Sequence, residues 1–170
     1  SDILKIESLI DEKKYECFIA NDNSNGQLVI SGRIDHLNKF VDDLKNLKIK
    51  NITLPVSGPF HCKLMNKATI KMEPEIKKLE FNIGEKILIS NVTANEMKNP
   101  EEIKKLLIKQ IESRVRWRES IIYMIKKGVN HFIEIGPGKV LSGLIKRIDK
   151  TVIVDAINSE EDINNIKKND

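Results

Sequence analysis

From residue 64 onward, short apolar runs alternate with amphipathic stretches, and this alternation constrains the fold of the 170-residue chain more than any other feature. Ile87-Leu88-Ile89-Ser90-Asn91-Val92 reads as a buried strand, His131-Phe132-Ile133-Glu134-Ile135 as a second, and Thr151 to Val154 as a third, followed by a polar tail. Between them, Leu64, Ala68, Met72, Ile76 and Leu79 recur at helical spacing, with Pro74 expected to kink or restart that helix. Asn99-Pro100-Glu101-Glu102 is a helix start, with a capping Asn, proline in first position and acids in the first turn; Ile103, Leu106, Leu107 and Gln110 follow on that helix. Trp117 to Lys127 forms a further helix closed by Gly128, and Lys139 to Ile148 another, entered through the tight turn Gly136-Pro137-Gly138. Strands alternating with helices imply a parallel sheet. Parallel strands need cover on both faces, and three of them make too little sheet, so this half of the chain is expected to depend on sheet from outside it.

The first part of the chain follows a different pattern. Ser1 can cap a helix that places Ile3, Ile6, Leu9 and Ile10 on one face. Cys17 to Ala20 reads as a strand, Asn21 to Gly26 as a reversal, and Gln27 to Ser31 as the returning strand of a hairpin. Ile34, Leu37, Val41 and Leu44 mark a second buried helical stripe, and Lys48 to Val56 alternates as a half-buried strand with Ile52, Leu54 and Val56 on one face. The order helix, strand, strand, helix, strand is that of a ferredoxin-like lobe without its first strand. The chain starts without Met and without a signal peptide, so it is expected to begin inside a longer product or after processing.

Composition excludes several function classes. A formal net charge of +4, with 32% charged residues, is far from the dense basic patches of a nucleic-acid binder. No apolar run approaches the ~20 residues that span a bilayer. Cys17 and Cys62 have no metal-ligand spacing, and two thiols in a chain of this size fit a reducing compartment. No metal is therefore expected.

Few residues can carry chemistry. His61, in Val56-Ser57-Gly58-Pro59-Phe60-His61-Cys62-Lys63-Leu64-Met65, stands where an extended segment turns into a helix. An imidazole at such a rim can take and return protons near neutral pH, though a strand-end histidine can equally be structural or merely exposed. Adjacent side chains point apart, which argues against a Cys62–His61 pair. His36 reads as solvated, and His131 as structural. Gly136-Pro137-Gly138-Lys139 lacks P-loop spacing; it reads as a close-packed turn first and an anion contact second.

Five segments resemble the malonyl-CoA:acyl carrier protein transacylase family, in that family's order and spacing. They are Asn25-Gly26-Gln27-Leu28-Val29-Ile30-Ser31-Gly32, then Phe60-His61-Cys62-x-Leu64-Met65, then Ser90-Asn91-Val92-Thr93-Ala94. Gln110 ahead of Val115-Arg116-Trp117 is the fourth, and Glu134-Ile135-Gly136-Pro137-Gly138-Lys139-Val140-Leu141 the fifth. The family's serine elbow, Gly-His-Ser-x-Gly, occurs nowhere in the chain.

The resemblance implies an α/β fold: residues 1–58 as a ferredoxin-like small subdomain lacking its first strand, and residues 59–170 as the C-terminal part of an α/β-hydrolase-like acyl transferase core. It implies His61 as general base, oriented by the backbone carbonyl of Gln110, with Phe60 and Asn91 near the substrate. Phe60 before the histidine implies malonyl rather than methylmalonyl units. Arg116, Lys139, Lys146 and Arg147 become candidates for binding an acidic carrier protein, with Arg114 and Arg118 weighed beside them. The implied partners are malonyl-CoA, acyl carrier protein and the N-terminal portion of the same enzyme, which would carry the serine, the carboxylate-binding arginine and the oxyanion hole. Neither nucleic acid nor membrane is among them, and the CoA thioester is substrate rather than cofactor. The implied setting is fatty acid synthesis in the cytoplasm or an organelle lumen. A polyketide synthase acyltransferase domain and a non-catalytic carrier-protein-binding module are the alternatives.

Overall fold

The computed structural model describes residues 3–82 and 84–166; Ser1, the expected cap of the first helix, lies outside them. The chain is a mixed α/β structure with two compact units, one ending at Ser120 and the other beginning at Ile121.

In the first unit, helix α1 (Ile3–Glu12) buries Ile6 and Ile10, one turn apart, as their spacing requires. Strands β1 (Cys17–Ser24) and β2 (Gln27–Gly32) form the expected antiparallel hairpin. Helix α2 (Ile34–Asn46) covers it, so that Ile6, Ile10, Cys17, Ile19, Phe40 and Leu44 make one core, flanked by Leu28, Ile30 and Leu37. Phe40, absent from the expected stripe, is its most buried member, whereas Ile34 is 70% exposed at the helix start.

The hairpin turn is tighter than the sequence implies. Asn21 to Ser24 continue β1, and only Asn25 and Gly26 turn, with Gly26 at φ +77°. Two register irregularities, between Ile19 and Asn21 and between Asp22 and Ser24, let polar residues enter the strand. Asp22 and Ser24 are buried there. Gly32 ends β2 opposite Cys17, where an added Cβ would come 2.6 Å from the Glu16 carbonyl oxygen and 2.9 Å from Cys17 Cα.

The expected strand over residues 48–56 does not form. Pro55 interrupts the run and removes a ladder donor, no neighbouring strand pairs with it among the described residues, and Ile52 and Val56 are exposed. A 3₁₀ turn (Lys63–Met65) then leads into α3 (Asn66–Lys78), which continues through Pro74 rather than restarting there. None of its residues is buried: Leu64, Ala68 and Ile76 of the apolar stripe are half-buried, and Met72 and Leu79 are exposed.

Of the strand expected over residues 87–92, only β3 (Leu88–Ile89) exists, and it pairs antiparallel with β4 (Glu96–Met97). The run ends because residues 90–95 turn back, with the Ala94 N–H on the Ser90 carbonyl. Helix α4 (Pro100–Gln110) starts as read, the Asn99 side chain accepting from the Glu102 N–H. Helix α5 (Trp117–Lys126) follows and closes at Gly128, φ +94°.

In the second unit β5 (His131–Ile135), α6 (Val140–Ile148) and β6 (Ile153–Ile157) form one parallel pair, His131 opposite Ile153 and Ile135 opposite Ile157. The last strand thus lies a few residues later than expected. The first stretch of the expected polar tail is a short helix, α7 (Glu160–Ile166), begun by Asp162 accepting from the Asn158 and Ser159 N–H groups.

Among the described residues the parallel sheet has two strands, not three, because residues 87–92 do not join it. Ile133, Ile135 and Ile153 are exposed on it. No helix among the described residues is long and apolar enough to cross a membrane.

Gly32→Ala should destabilise the protein by about 1–3 kcal/mol, because backbone atoms that cannot move away meet the new methyl. Gly143→Ala, in α6 with nothing within 4 Å of the new Cβ, should be neutral or stabilising. Urea denaturation midpoints of the two variants measure the contrast.

Candidate functional site

His61 lies in a turn just before the 3₁₀ segment, with its backbone at φ +59°. A non-glycine residue there costs of order 1–3 kcal/mol and persists only where its surroundings enforce it. Those surroundings are visible on both sides. The Phe60 carbonyl accepts from the Ser31 hydroxyl at 2.7 Å, and Cys62 Sγ donates to the Pro59 carbonyl at 3.1 Å. On the far side the Met65 N–H reaches the Cys62 carbonyl at 2.9 Å.

The half-buried imidazole meets the last residue of α4: His61 Nδ1 is 3.1 Å from the Gln110 carbonyl oxygen. A helix leaves its last four carbonyls without intrahelical partners, which makes this one available. A carbonyl only accepts, so the contact requires the proton on Nδ1 and leaves the lone pair on Nε2. That is the tautomer of a general base whose orienting partner is backbone rather than a carboxylate.

The end of α4 is itself tied down. Asn66 Nδ2 donates to Glu112 Oε1 at 3.2 Å, joining the start of α3 to the residues after α4. Val115 bridges to β1: its N–H donates to the Ala20 carbonyl at 2.8 Å, and its carbonyl accepts from the Asp22 N–H at 2.9 Å. The Arg116 N–H donates to the Asn91 carbonyl at 2.9 Å. Asn91 thereby joins the same neighbourhood through its backbone, and Val92 beside it lines a cleft of about 680 Å³ with His61, Cys62, Arg114 and Arg116.

Arg114 and Arg116, which line this cleft, are paired with acids, and so is Arg118 at the start of α5. Arg118 grips buried Asp22 with contacts of 2.7–3.0 Å. Arg114 reaches Glu7 at 3.0 Å, and Arg116 pairs with Glu119 and donates to the Thr93 carbonyl. The Arg116 guanidinium, with Arg114 and Arg118 adding to it, holds the Glu119 carboxyl below the usual range. Burial pushes the Cys17 thiol up to about 11 and raises that of Cys62. Both are therefore protonated thiols near neutral pH, and Cys62 is no rival nucleophile beside His61.

Phe60 is 46% exposed next to His61, its ring close against Gly58. The remaining candidates lie in the second unit. Lys139 is exposed just before α6, Lys146 donates to the Val152 carbonyl at 2.6 Å, and Arg147 is in the last turn of the helix. The turn at Gly136-Pro137-Gly138 does not offer α6 to an anion. Glu134 accepts from the Leu141 and Ser142 N–H groups and from the Ser142 hydroxyl, so a carboxylate already sits at the helix start. Both glycines have positive φ, +137° and +92°.

His131 is structural as read, its Nε2 2.7 Å from Asp155 on the neighbouring strand. His36 is not simply solvated: its Nδ1 accepts from the Glu16 N–H at 2.6 Å. No cluster of three or more His, Cys, Asp or Glu among the described residues could hold a metal ion. Sequence reasoning missed Asp22–Arg118 and Glu134–Ser142, whose partners are either 96 residues apart or hidden within an apolar motif.

No protein-family model matches the chain. It is 40% identical over 152 residues to a malonyl CoA-acyl carrier protein transacylase of Staphylococcus aureus strain COL, covering 89% of this chain and 49% of that protein. Among solved structures it resembles the malonyl CoA-acyl carrier protein transacylase of Clostridium perfringens ATCC 13124. There the TM-score is 0.93 at 34% identity, over 99% of this chain and 54% of the other. It is also similar to the structure of a type II PKS acyl-carrier protein in complex with its malonyl-transacylase, with TM-score 0.94 and 31% identity, over all of this chain and 56% of that one. The chain spans about half the length of the relatives it matches.

The Glu119 carboxylate is half protonated at pH ~4.5 in the unfolded chain, while its lowered folded value keeps it charged further down. Its stabilising contribution is thus complete well above that midpoint and lost as pH falls through the folded value. Glu119→Gln should lower the melting temperature at neutral pH, and the difference from wild type should narrow as pH falls below the ordinary glutamate range. Thermal melts of both proteins across that range measure it.

Proposed function

From the premise that this chain is homologous to the C-terminal half of malonyl CoA-acyl carrier protein transacylases, we propose that it supplies the general base of such an enzyme. The observation that carries this reading is the contact from His61 Nδ1 to the Gln110 carbonyl, which frees Nε2 to accept a proton. Serine is a poor nucleophile until a base stands within hydrogen-bond reach.

The intact enzyme works in two half-reactions. A serine from the N-terminal portion gives its proton to His61 Nε2 and attacks the thioester carbon of malonyl-CoA. The imidazolium returns that proton to the departing CoA thiolate, leaving a malonyl-serine ester. The phosphopantetheine thiol of acyl carrier protein then loses its proton to Nε2 and attacks the ester, and the proton passes back to the serine. A backbone carbonyl fixes the tautomer but stabilises imidazolium less than a carboxylate would. The serine, the oxyanion hole and the arginine that grips the malonyl carboxylate belong to the other portion; for the arginine this is supported by the pairing of Arg114 and Arg116, in the cleft with His61, to acids.

Phe60 bounds the acyl site and crowds a branched α-carbon, supported by its exposed ring beside His61. Asn91 lies near the substrate, supported by its backbone link to Arg116 beside the cleft. Lys139, Lys146 and Arg147 of the second unit are cations for binding carrier protein; Arg116, in the first unit, has its charge matched by Glu119. The reaction uses CoA thioester as substrate without a resident cofactor and serves fatty acid synthesis in the cytoplasm. The same chemistry serves polyketide synthesis, as the similarity to a type II PKS malonyl-transacylase indicates.

The finer architecture follows the same reading. Residues 1–58 form a ferredoxin-like lobe, supported by the α1, β1, β2, α2 order around one core and by the unpaired apolar run at 52–56. Residues 59–170 belong to an α/β-hydrolase-like core, supported by the β5–α6–β6 unit with its exposed isoleucines.

In the full-length protein His61→Ala should slow malonyl transfer to carrier protein by about 10²–10⁴-fold. Gln110→Ala should cost less than about tenfold, because the carbonyl survives the substitution. Residues 1–170 alone should transfer none; turnover in the ordinary range of ~1–10³ s⁻¹ from that fragment would overturn the assignment of the serine to another segment.

A further inference from the structure

The left-handed backbone of His61 needs a restraint, and the strongest one comes from a residue with no part in the proton transfers. Ser31 lies near the end of β2, and its hydroxyl donates to the Phe60 carbonyl at 2.7 Å. That carbonyl belongs to the peptide whose nitrogen is that of His61. Holding the plane of this peptide while Cα stays in place fixes rotation about the N–Cα bond of residue 61, which is its φ. The ladder partner of Ser31 is Phe18, whose ring carries the Lys63 ammonium 5.0 Å from its centroid. One cross-strand pair therefore grips the chain on both flanks of His61, at residue 60 and at residue 63. The hairpin ladder is a rigid base for this grip, since Gly32 next to Ser31 packs directly on the backbone of Glu16 and Cys17.

We propose that Ser31 is a positioning residue for the base: its hydroxyl holds the Phe60–His61 peptide in the orientation that keeps the imidazole on the Gln110 carbonyl. The proposal deepens the reading of His61 as the base and rests on it. Without the hydroxyl, residue 61 relaxes toward the negative φ that side chains prefer, and Nδ1 leaves its acceptor. An imidazole released from an acceptor-only partner also populates the tautomer with its proton on Nε2. That tautomer has no lone pair to offer a serine.

The test compares Ser31→Thr with Ser31→Val in the full-length protein. The two residues have nearly the same shape, both suit a strand, and they differ in the hydroxyl. Two readouts apply: ¹⁵N NMR of the His61 ring, which reports the tautomer, and the single-turnover rate of malonyl-enzyme formation from malonyl-CoA. Ser31→Thr should keep the Nδ1–H tautomer and the wild-type rate. Ser31→Val should show a mixed tautomer and form malonyl-enzyme about 2- to 10-fold more slowly, the range of one lost hydrogen bond. Identical tautomers in the two variants would overturn the proposal whatever the rates. A tautomer difference in a protein that forms no malonyl-enzyme would uphold the positioning role and remove the malonyl reading.

Discussion

Two backbone hydrogen bonds between Val115 and β1 determine where the parts of the site meet. The Val115 N–H on the Ala20 carbonyl, and the Asp22 N–H on the Val115 carbonyl, stitch the chain after α4 to the hairpin as a third, one-residue strand. Arg118, three residues on, adds its guanidinium to buried Asp22. With that segment anchored, the four residues between Gln110 and Val115 have little room to wander, and the end of α4 stays beside the hairpin. The same hairpin holds the turn that carries His61. His61 and the Gln110 carbonyl it meets, 49 residues apart in sequence, are thus both referred to one strand pair.

This explains why the strand tolerates a buried carboxylate near its far end. Asp22 is 1% exposed, which would be costly without a partner. It is matched by a guanidinium in fork geometry, and its own N–H donates to the Val115 carbonyl. A hydrophobic residue at position 22 could pack there, but it would not recruit Arg118 from the start of α5. The strained backbone of His61 belongs to the same account. The cost of a positive φ is met by hydrogen bonds to residues 59, 60 and 62, and in return the ring reaches a carbonyl it could not reach from a relaxed turn.

Much of this was legible in the sequence where local chemistry decides the outcome. The Asn99-Pro100 start of α4, the Gly128 stop of α5 and the paired glycines before α6 each depend on nearest neighbours, and each formed as read. The hairpin was legible as well, though not its length: Asn21 to Ser24 look like turn residues, yet they pair with Gln27 to Val29 of β2 and are tied at Asp22 to the distant Arg118 and Val115. The failures share one cause. Residues 48–56 and 87–92 have strand periodicity, yet a strand exists only where something pairs with it, and periodicity cannot show whether a partner is present. His61 and Gln110 were joined through family resemblance, since no local pattern connects a turn to the end of a helix 49 residues on. Ser31 lies in the Gly26–Gly32 segment, but its hydrogen bond is to a residue 29 positions away, which no local pattern signals.

The central claim is that a backbone carbonyl, rather than any side chain, orients the base. Replacing Ile111 by its α-hydroxy acid converts the peptide bond after Gln110 to an ester, which weakens that carbonyl as an acceptor without altering a side chain. It also removes the Ile111 N–H, which bonds Ile108 at 3.3 Å; the same replacement at Glu112 removes an equivalent N–H bond to Lys109, also 3.3 Å, and spares the Gln110 carbonyl. Malonyl transfer by the full-length protein should fall clearly with the ester at position 111 and remain near wild type with the ester at position 112. Equal rates from the two esters would contradict the account.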